Sequence, residues 1–365
     1  MPDTLKKITN RTAWIDTAKA LAMVLIVYGH IDVDSYAQSF VYAFHLPVFI
    51  FLSGLCFNSG PSFKIFIKKK ASRILVPYLF FGIFAIAAYL VLGSAFANGE
   101  LISLKDCLTG LLIGNAKSNR MIFNLHLWYL PFIFVMSVMF YGMKKLSDCI
   151  TEKAGVKKVY GYIFIFVFSL AVSAFVINRF TDFYLPFGID NAVRSMPFFA
   201  LGFLMKSSES FCADIDRKDF RKLFMNLAVF VITTVLLIYF ADKNIRHDAD
   251  GLFKILYHRD IYGVPLYFYG AAFSGIFAVE SLSKLIPAFR WLTYFGRNTL
   301  AVLIMQKFAI LPIRLLADRL PDGIGNSFLF YSVSTVIAII ICLAADCIIK
   351  KYLPFLYGMK YKKTN

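Results

Sequence analysis

At 365 residues, 59% of them hydrophobic, with a mean hydropathy of +0.67 and 40 phenylalanines, the chain is too apolar for a water-soluble domain, where about 45–50% is usual, and it reads as an integral membrane protein. The net charge of +17 would suit nucleic acid if it formed one patch, but it is sorted loop by loop, so no nucleic-acid partner is expected. Six cysteines at positions 56, 107, 149, 212, 342 and 347 contain no CxxC pair, so neither a disulfide framework nor a metal site is indicated.

A spanning helix needs roughly 17–25 mostly apolar residues. Ten spans are expected at about 13–31, 39–57, 74–93, 125–143, 159–177, 192–205, 222–240, 261–280, 289–311 and 328–349. The sixth is short and contains Pro197. The stretch Leu104 to Gly114 is apolar but too short to cross, and is expected to lie at the interface or re-enter. The fold class is all-α and polytopic, with one membrane domain over 1–365. No small-residue cleavage site follows the first span, so it reads as a retained helix and not a signal peptide. Among the alternating connections, the set containing the N-terminus, 58–73, 144–158, 206–222, 281–290 and the C-terminus holds 25 Lys and Arg, against 10 in the other set. Basic residues accumulate on the cytoplasmic side, so both termini are expected there.

The first span carries the most informative pattern. Asp16, Lys19, Met23, Ile26 and His30 recur at spacings of three and four, on one face of a helix. Lys19 and His30 are eleven residues apart, about 16 Å along the axis. Ionisable groups are costly in hydrocarbon and usually sit there for function. His30, near the external end, can take a proton from a hydroxyl, or can simply bond a neighbouring helix. Asp16 and Lys19 can also form an ion pair.

In the second span, His45 faces the external side near the depth of His30, Pro47 can kink the helix, and Ser53-Gly54 allows close helix approach. Before the third, Lys68-Lys69-Lys70-Ala-Ser-Arg73 places Lys70 and Arg73 three residues apart on one face. Such a pair suits a phosphate-bearing ligand, though it also fits a plain positive-inside flank. At the fourth, His126-Leu-Trp128-Tyr-Leu-Pro131 reads equally as an interfacial aromatic belt or as a platform for a sugar ring. In the ninth, Phe295-Gly-Arg297-Asn298-Thr-Leu precedes Lys307, and Glu280 or Asp346 is the expected partner of Arg297.

Taken in order, these motifs resemble the acyltransferase-3 family of membrane acyltransferases. The family's first-helix pattern, a basic residue followed by ten others and a histidine, matches Lys19 and His30. Its basic-x-x-Arg pattern matches Lys70 and Arg73. The Pro47-Val-Phe and Ser53-Gly-x-x-Phe57 run, Leu127-Trp128-Tyr-Leu and Gly296-Arg-Asn298-Thr-Leu are similar too, and Trp14-Ile-Asp16-x-x-Lys19 leans toward the fucose O-acetylase-like branch. Lysine stands at 19 and 70 where arginine is commoner. Gln306 stands where many relatives carry histidine, so no catalytic role falls on it. The resemblance covers essentially the whole chain, with no appended extracytoplasmic esterase-like domain.

The resemblance implies an enzyme of a bacterial cytoplasmic membrane that moves an acetyl group from cytosolic acetyl-CoA to a hydroxyl of an extracytoplasmic glycan. Lys70 and Arg73 would hold the CoA phosphates, and Lys19 a phosphate or the pantetheine path. His30 would act as general base with Asp16 and Lys19 on its stripe. His45 and Trp128 would meet the glycan, and Arg297 or Asn298 would steady the oxyanion. Direct transfer and an acyl-enzyme both fit, and the oligomeric state is not indicated. Two other readings stand beside it: a secondary transporter for an anionic or sugar substrate, using Lys19, His30, Arg297 and Lys307 as a path, and a non-catalytic partner of a polysaccharide synthase.

Overall fold

The computed structural model describes residues 12–31, 36–60, 62–93, 96, 101–154, 159–178, 184–246, 255–321, 323–325 and 327–358. The basic residues of 1–11 and 359–365, part of the charge count above, lie outside them. The described residues are helical, with no strand among them beyond a single bridge between Leu256 and Ile261.

The helices in chain order are α1 (Ala13–Ile31), α2 (Tyr36–Tyr42), α3 (His45–Leu55), α4 (Phe63–Leu92), α5 (Leu104–Ile113), α6 (Tyr129–Ala154), α7 (Val159–Asn178), α8 (Ile189–Met205), α9 (Glu209–Cys212), α10 (Phe220–Ile245), α11 (Pro265–Leu285), α12 (Arg290–Arg297), α13 (Thr299–Ala317) and α14 (Phe328–Tyr352). Seven segments are long and apolar enough to cross a bilayer: α1, α2 with α3, α4, Leu125–Glu152, α10, α13 and α14. The protein is a multi-pass membrane protein. The expected count of ten is not reached by this measure. Helices do stand at the fifth, sixth and eighth positions, but α8 has only 17 residues, and α11 is diluted by Gly, Ser and Tyr.

Two expected boundaries are corrected. The third span begins at Phe63, not 74, because Ser62 caps it by accepting from the Ile65 N–H. Lys70 and Arg73 therefore lie inside a continuous helix. The expected ninth span is two helices, broken at Asn298 (φ −112°, ψ 15°). The short Leu104–Ile113 stretch forms its own helix, capped by Ser103 and ended by Gly114 in the left-handed region at φ 62°.

Helix α1 is the hub, in contact with α3, α11, α12, α13 and α14. Lipid supplies no hydrophobic drive between helices, so close packing of small residues does that work. A Cβ on Gly54 of α3 would lie 2.0 Å from the Phe199 carbonyl oxygen, and one on Gly202 of α8 would lie 2.0 Å from that of Phe51. The two backbones thus touch on both sides of one crossing. By contrast, α10 turns Phe224, Ile232 and Val235 outward, each more than half exposed, as suits a lipid-facing helix.

Candidate functional site

A cavity of about 630 Å³ runs beside α1, within the size range of ligand sites. Lys19, Met23, Ile26 and His30 all line it, so the spacing read from the sequence becomes one wall. Helices α3 and α13, together with α6 and the turn before it, supply much of the rest. Asp16 is the exception to the stripe: it is fully buried, off the cavity wall, and accepts from Arg297 Nε at 2.9 Å.

At the Lys19 end the lining includes Cys56, Lys70, Ile74 and Arg297. The Lys19 Nζ lies 3.9 Å from Cys56 Sγ, and the Lys70 ammonium lies 5.9 Å from the Phe66 ring. Arg73 is exposed and does not line the cavity. Arg297 is brought here by α12, whose Gly296 lets the backbone close onto the Asp16 carbonyl.

This overturns three expectations. The partner of Arg297 is Asp16, because Glu280 is taken by Lys284 and Asp346 by Lys350. Arg297 cannot reach an oxyanion beside His30, since its anchor Asp16 is fourteen residues from His30, about 21 Å along the axis. Asn298 is turned away from the cavity: its Nδ2 donates to the Tyr294 carbonyl and its Oδ1 accepts from Lys350 Nζ.

At the other end, the structure gathers more than the sequence suggested. The His30 and His126 rings stand 4.1 Å apart between centroids, and Tyr42 lies edge-on to His30 at 6.0 Å. His45 stands 4.9 Å from Tyr42. Its Nδ1 donates to the Val41 carbonyl at 2.8 Å, which leaves Nε2 as its acceptor. Trp128 also lines the cavity.

His30 is held by α13 from two sides. Arg314 Nη2 donates to its carbonyl at 2.6 Å, and its Nδ1 is 3.2 Å from Gln306 Oε1. The Gln306 Nε2 is engaged in donating to the Leu303 carbonyl. Its oxygen therefore faces the imidazole as an acceptor, and Nδ1 carries the proton. The Nε2 of His30 is left with its lone pair, the form a general base requires.

Two further contacts set the depth of the site. Asn124 accepts from the His126 N–H and donates to the Ile304 carbonyl, tying the turn that carries His126 to α13. His258 reaches the cavity from the loop before α11. That loop is pinned by Asn191 to the Tyr257 carbonyl, by Asn244 to the Tyr262 carbonyl and by Arg194 to Asp260 at 2.9 Å. Burial and the neighbouring Arg259 hold His258 down to about 4, so it is neutral at neutral pH.

Of the sequence candidates, Lys19, His30, His45, Lys70, Trp128 and Arg297 line one cavity, while Asp16, Arg73 and Asn298 do not. The sequence reading set Gln306 aside and gave His126 only a share in an aromatic motif. It had no handle on His258, which lies in a connection. Arg314 was missed because the expected span stopped before Pro312, whereas α13 runs on through it to Ala317. The spacing of eight between Gln306 and Arg314, which puts them on one face, was the available signal.

Neither a curated protein sequence nor a solved structure matches the chain. The family model described as an acyltransferase domain matches residues 12–347, from the start of α1 almost to the end of α14. The chain therefore belongs to the acyltransferase-3 family, and it is an acyltransferase.

Proposed function

We propose that the protein is an O-acetyltransferase that takes acetyl from acetyl-CoA on the cytoplasmic side and delivers it to a hydroxyl of an extracytoplasmic glycan, a surface polysaccharide or its lipid-linked precursor. The observation that carries this reading is the single cavity joining Lys19 and Lys70 to His30. The excess of Lys and Arg in one set of connections orients the Lys19 end to the cytosol. Family membership does not favour the transporter reading, and the fucose O-acetylase-like wording of the first helix is consistent with a sugar hydroxyl as acceptor.

In this scheme Lys19, Lys70 and Arg297 meet the CoA phosphates, with Arg73 at the exposed rim adding long-range attraction. The pantetheine arm lies along Met23 and Ile26, apolar and free of competing hydrogen bonds. The thioester then arrives beside His30. As the acceptor hydroxyl oxygen attacks the carbonyl carbon, its proton passes to His30 Nε2. The tetrahedral intermediate collapses with cleavage of the C–S bond, and the proton passes from His30 to the departing sulfur. Trp128 and His45 form part of the wall that receives the sugar.

The test is His30→Ala at unchanged protein level, scored by CoA release and by acetyl incorporated into glycan. Loss of a general base costs roughly 10²–10⁴-fold. Full activity in this variant removes His30 from its assigned role.

A further inference from the structure

His258 is an imidazole of this cavity that the acyl-transfer scheme leaves without a task. It sits in the turn Tyr257–Arg259, in the connection between α10 and α11, which the loop charges orient to the outer side. The turn is fixed at four points. Leu256 and Ile261 exchange backbone hydrogen bonds at 2.8 and 3.1 Å across its base. Asn191 Nδ2 donates to the Tyr257 carbonyl at 2.9 Å. Asn244 donates to the Tyr262 carbonyl and accepts from the Val264 N–H. Asp260 holds the left-handed region at φ 61°, which an aspartate tolerates, and its buried carboxylate pairs with Arg194 at 2.9 Å and Lys117 at 3.4 Å. These anchors engage the backbone and Asp260, and none of them engages the His258 ring. Among the described residues nothing hydrogen-bonds that ring. It lines the cavity, near enough to His30 and His126 to act electrostatically on both. A neutral imidazole offers one N–H and one lone pair. Enclosed polar atoms without a partner are costly and call for one.

The acyl donor does not supply that partner. Its phosphates and pantetheine amides lie on the Lys19 side of the thioester, and beyond the carbonyl it carries only a methyl group. The oxyanion of the tetrahedral intermediate has Lys307, which lines the cavity from the position after Gln306. What remains is the acceptor, which enters from the outer side. We infer that His258 is an acceptor-binding residue: its ring hydrogen-bonds a second hydroxyl of the glycan while the first is presented to His30 Nε2. A hydroxyl both donates and accepts, so it can pair with either ring nitrogen. The acceptor then needs two hydroxyls close together, as a sugar has and a monohydric alcohol has not. This rests on the acyl-transfer reading and names the residue that selects the acceptor at the same site.

The test uses the full-length protein in detergent and the surface glycan of the producing cells, stripped of acetyl esters by mild alkali. Binding is read by isothermal titration, and transfer by CoA release at varied glycan and varied acetyl-CoA. His258→Phe keeps a ring of similar size and removes both polar atoms. It should raise the Kd and the KM for glycan about tenfold, as loss of one enclosed hydrogen bond does, with the KM for acetyl-CoA holding. His258→Ala, which leaves space and not a clash, should give the same loss. His258→Gln keeps a donor and an acceptor and should recover most of the affinity. Unchanged glycan affinity in the Phe and Ala variants overturns the inference. So does a loss confined to kcat, which would put the ring on the oxyanion, and so does a rise of both KM values together, which would make the ring structural. CoA release with His30→Ala as reference separates the two readings. His30-dependent release with unchanged glycan affinity in the His258 variants overturns only the role of His258. Weakened glycan binding with no His30-dependent release supports the glycan site and overturns acyl transfer. Glycan that neither binds the wild type nor stimulates its CoA release overturns both.

Discussion

Replacing Gln306 with leucine tests whether the orientation of His30, and not merely its presence, sets the rate. Leucine has nearly the same volume, so the buried site stays filled, but it offers no acceptor. The His30 Nδ1–H, now 3.2 Å from Gln306 Oε1, is left with nothing to donate to. An unsatisfied buried donor costs about 1–3 kcal/mol. The imidazole escapes that cost by rotating or by moving its proton to Nε2, and either removes the lone pair from the acceptor hydroxyl. At about 1.4 kcal/mol per decade, the fraction of correctly arranged His30 falls roughly 5- to 150-fold. The loss should appear in kcat. The KM for acetyl-CoA should hold, because the Lys19 end, where the proposal puts its phosphates, is about 16 Å away along α1. Gln306→Glu keeps an oxygen at the same reach and should recover most of the rate. The assay is CoA release from acetyl-CoA by membranes supplied with native glycan, with thermal unfolding in detergent as control. Full kcat in Gln306→Leu refutes the assignment. So does a loss that follows the unfolding temperature and is not rescued by glutamate.

Three other predictions follow from separate parts of the molecule. Lys70→Ala should raise the KM for acetyl-CoA by about tenfold, as expected for one charge-assisted contact to phosphate, while Arg73→Ala, being exposed and off the cavity, should shift it less; equal effects would place both on the ligand. Gly54→Ala drives a methyl into the Phe199 carbonyl oxygen, so α3 and α8 must separate, at a cost of about 1–3 kcal/mol; an unchanged unfolding temperature would mean the crossing is looser than described. His258 is held below its ordinary 6.5, near 4, so its contribution to stability is complete above pH 6.5 and is lost as pH falls toward 4, at up to about 1.4 kcal/mol per pH unit. His258→Gln should flatten that acid limb of the stability profile, and an unchanged slope would show that the loop is not sensing pH through this residue.

The membrane class and the Lys19–His30 wall were legible because both depend on local facts. Apolar runs of spanning length and a helical period need no knowledge of partners. What could not be read was the identity of contacts across hundreds of residues. The pairing of Arg297 with Asp16 spans 281 positions and that of His30 with Gln306 spans 276. Glu280 and Asp346 looked like good partners for Arg297, but each has a lysine four residues further along its own helix, at the spacing where helical ion pairs form. Those local pairs satisfy the two acids, and the long-range arginine pairs with the buried Asp16. The same competition explains Asn298, whose place in a motif suggested substrate contact. It sits at the break between α12 and α13, where its side chain bonds the Tyr294 carbonyl of the helix it ends and accepts from Lys350 of α14. The expected ninth span stops at 311, yet α13 runs on to Ala317, and that last stretch carries Arg314 to the His30 carbonyl. The two residues that hold His30 are therefore split by the expected boundary: Gln306 falls inside the span 289–311 and Arg314 beyond it, so a pattern search confined to spans finds the acceptor on Nδ1 and misses the arginine on the backbone.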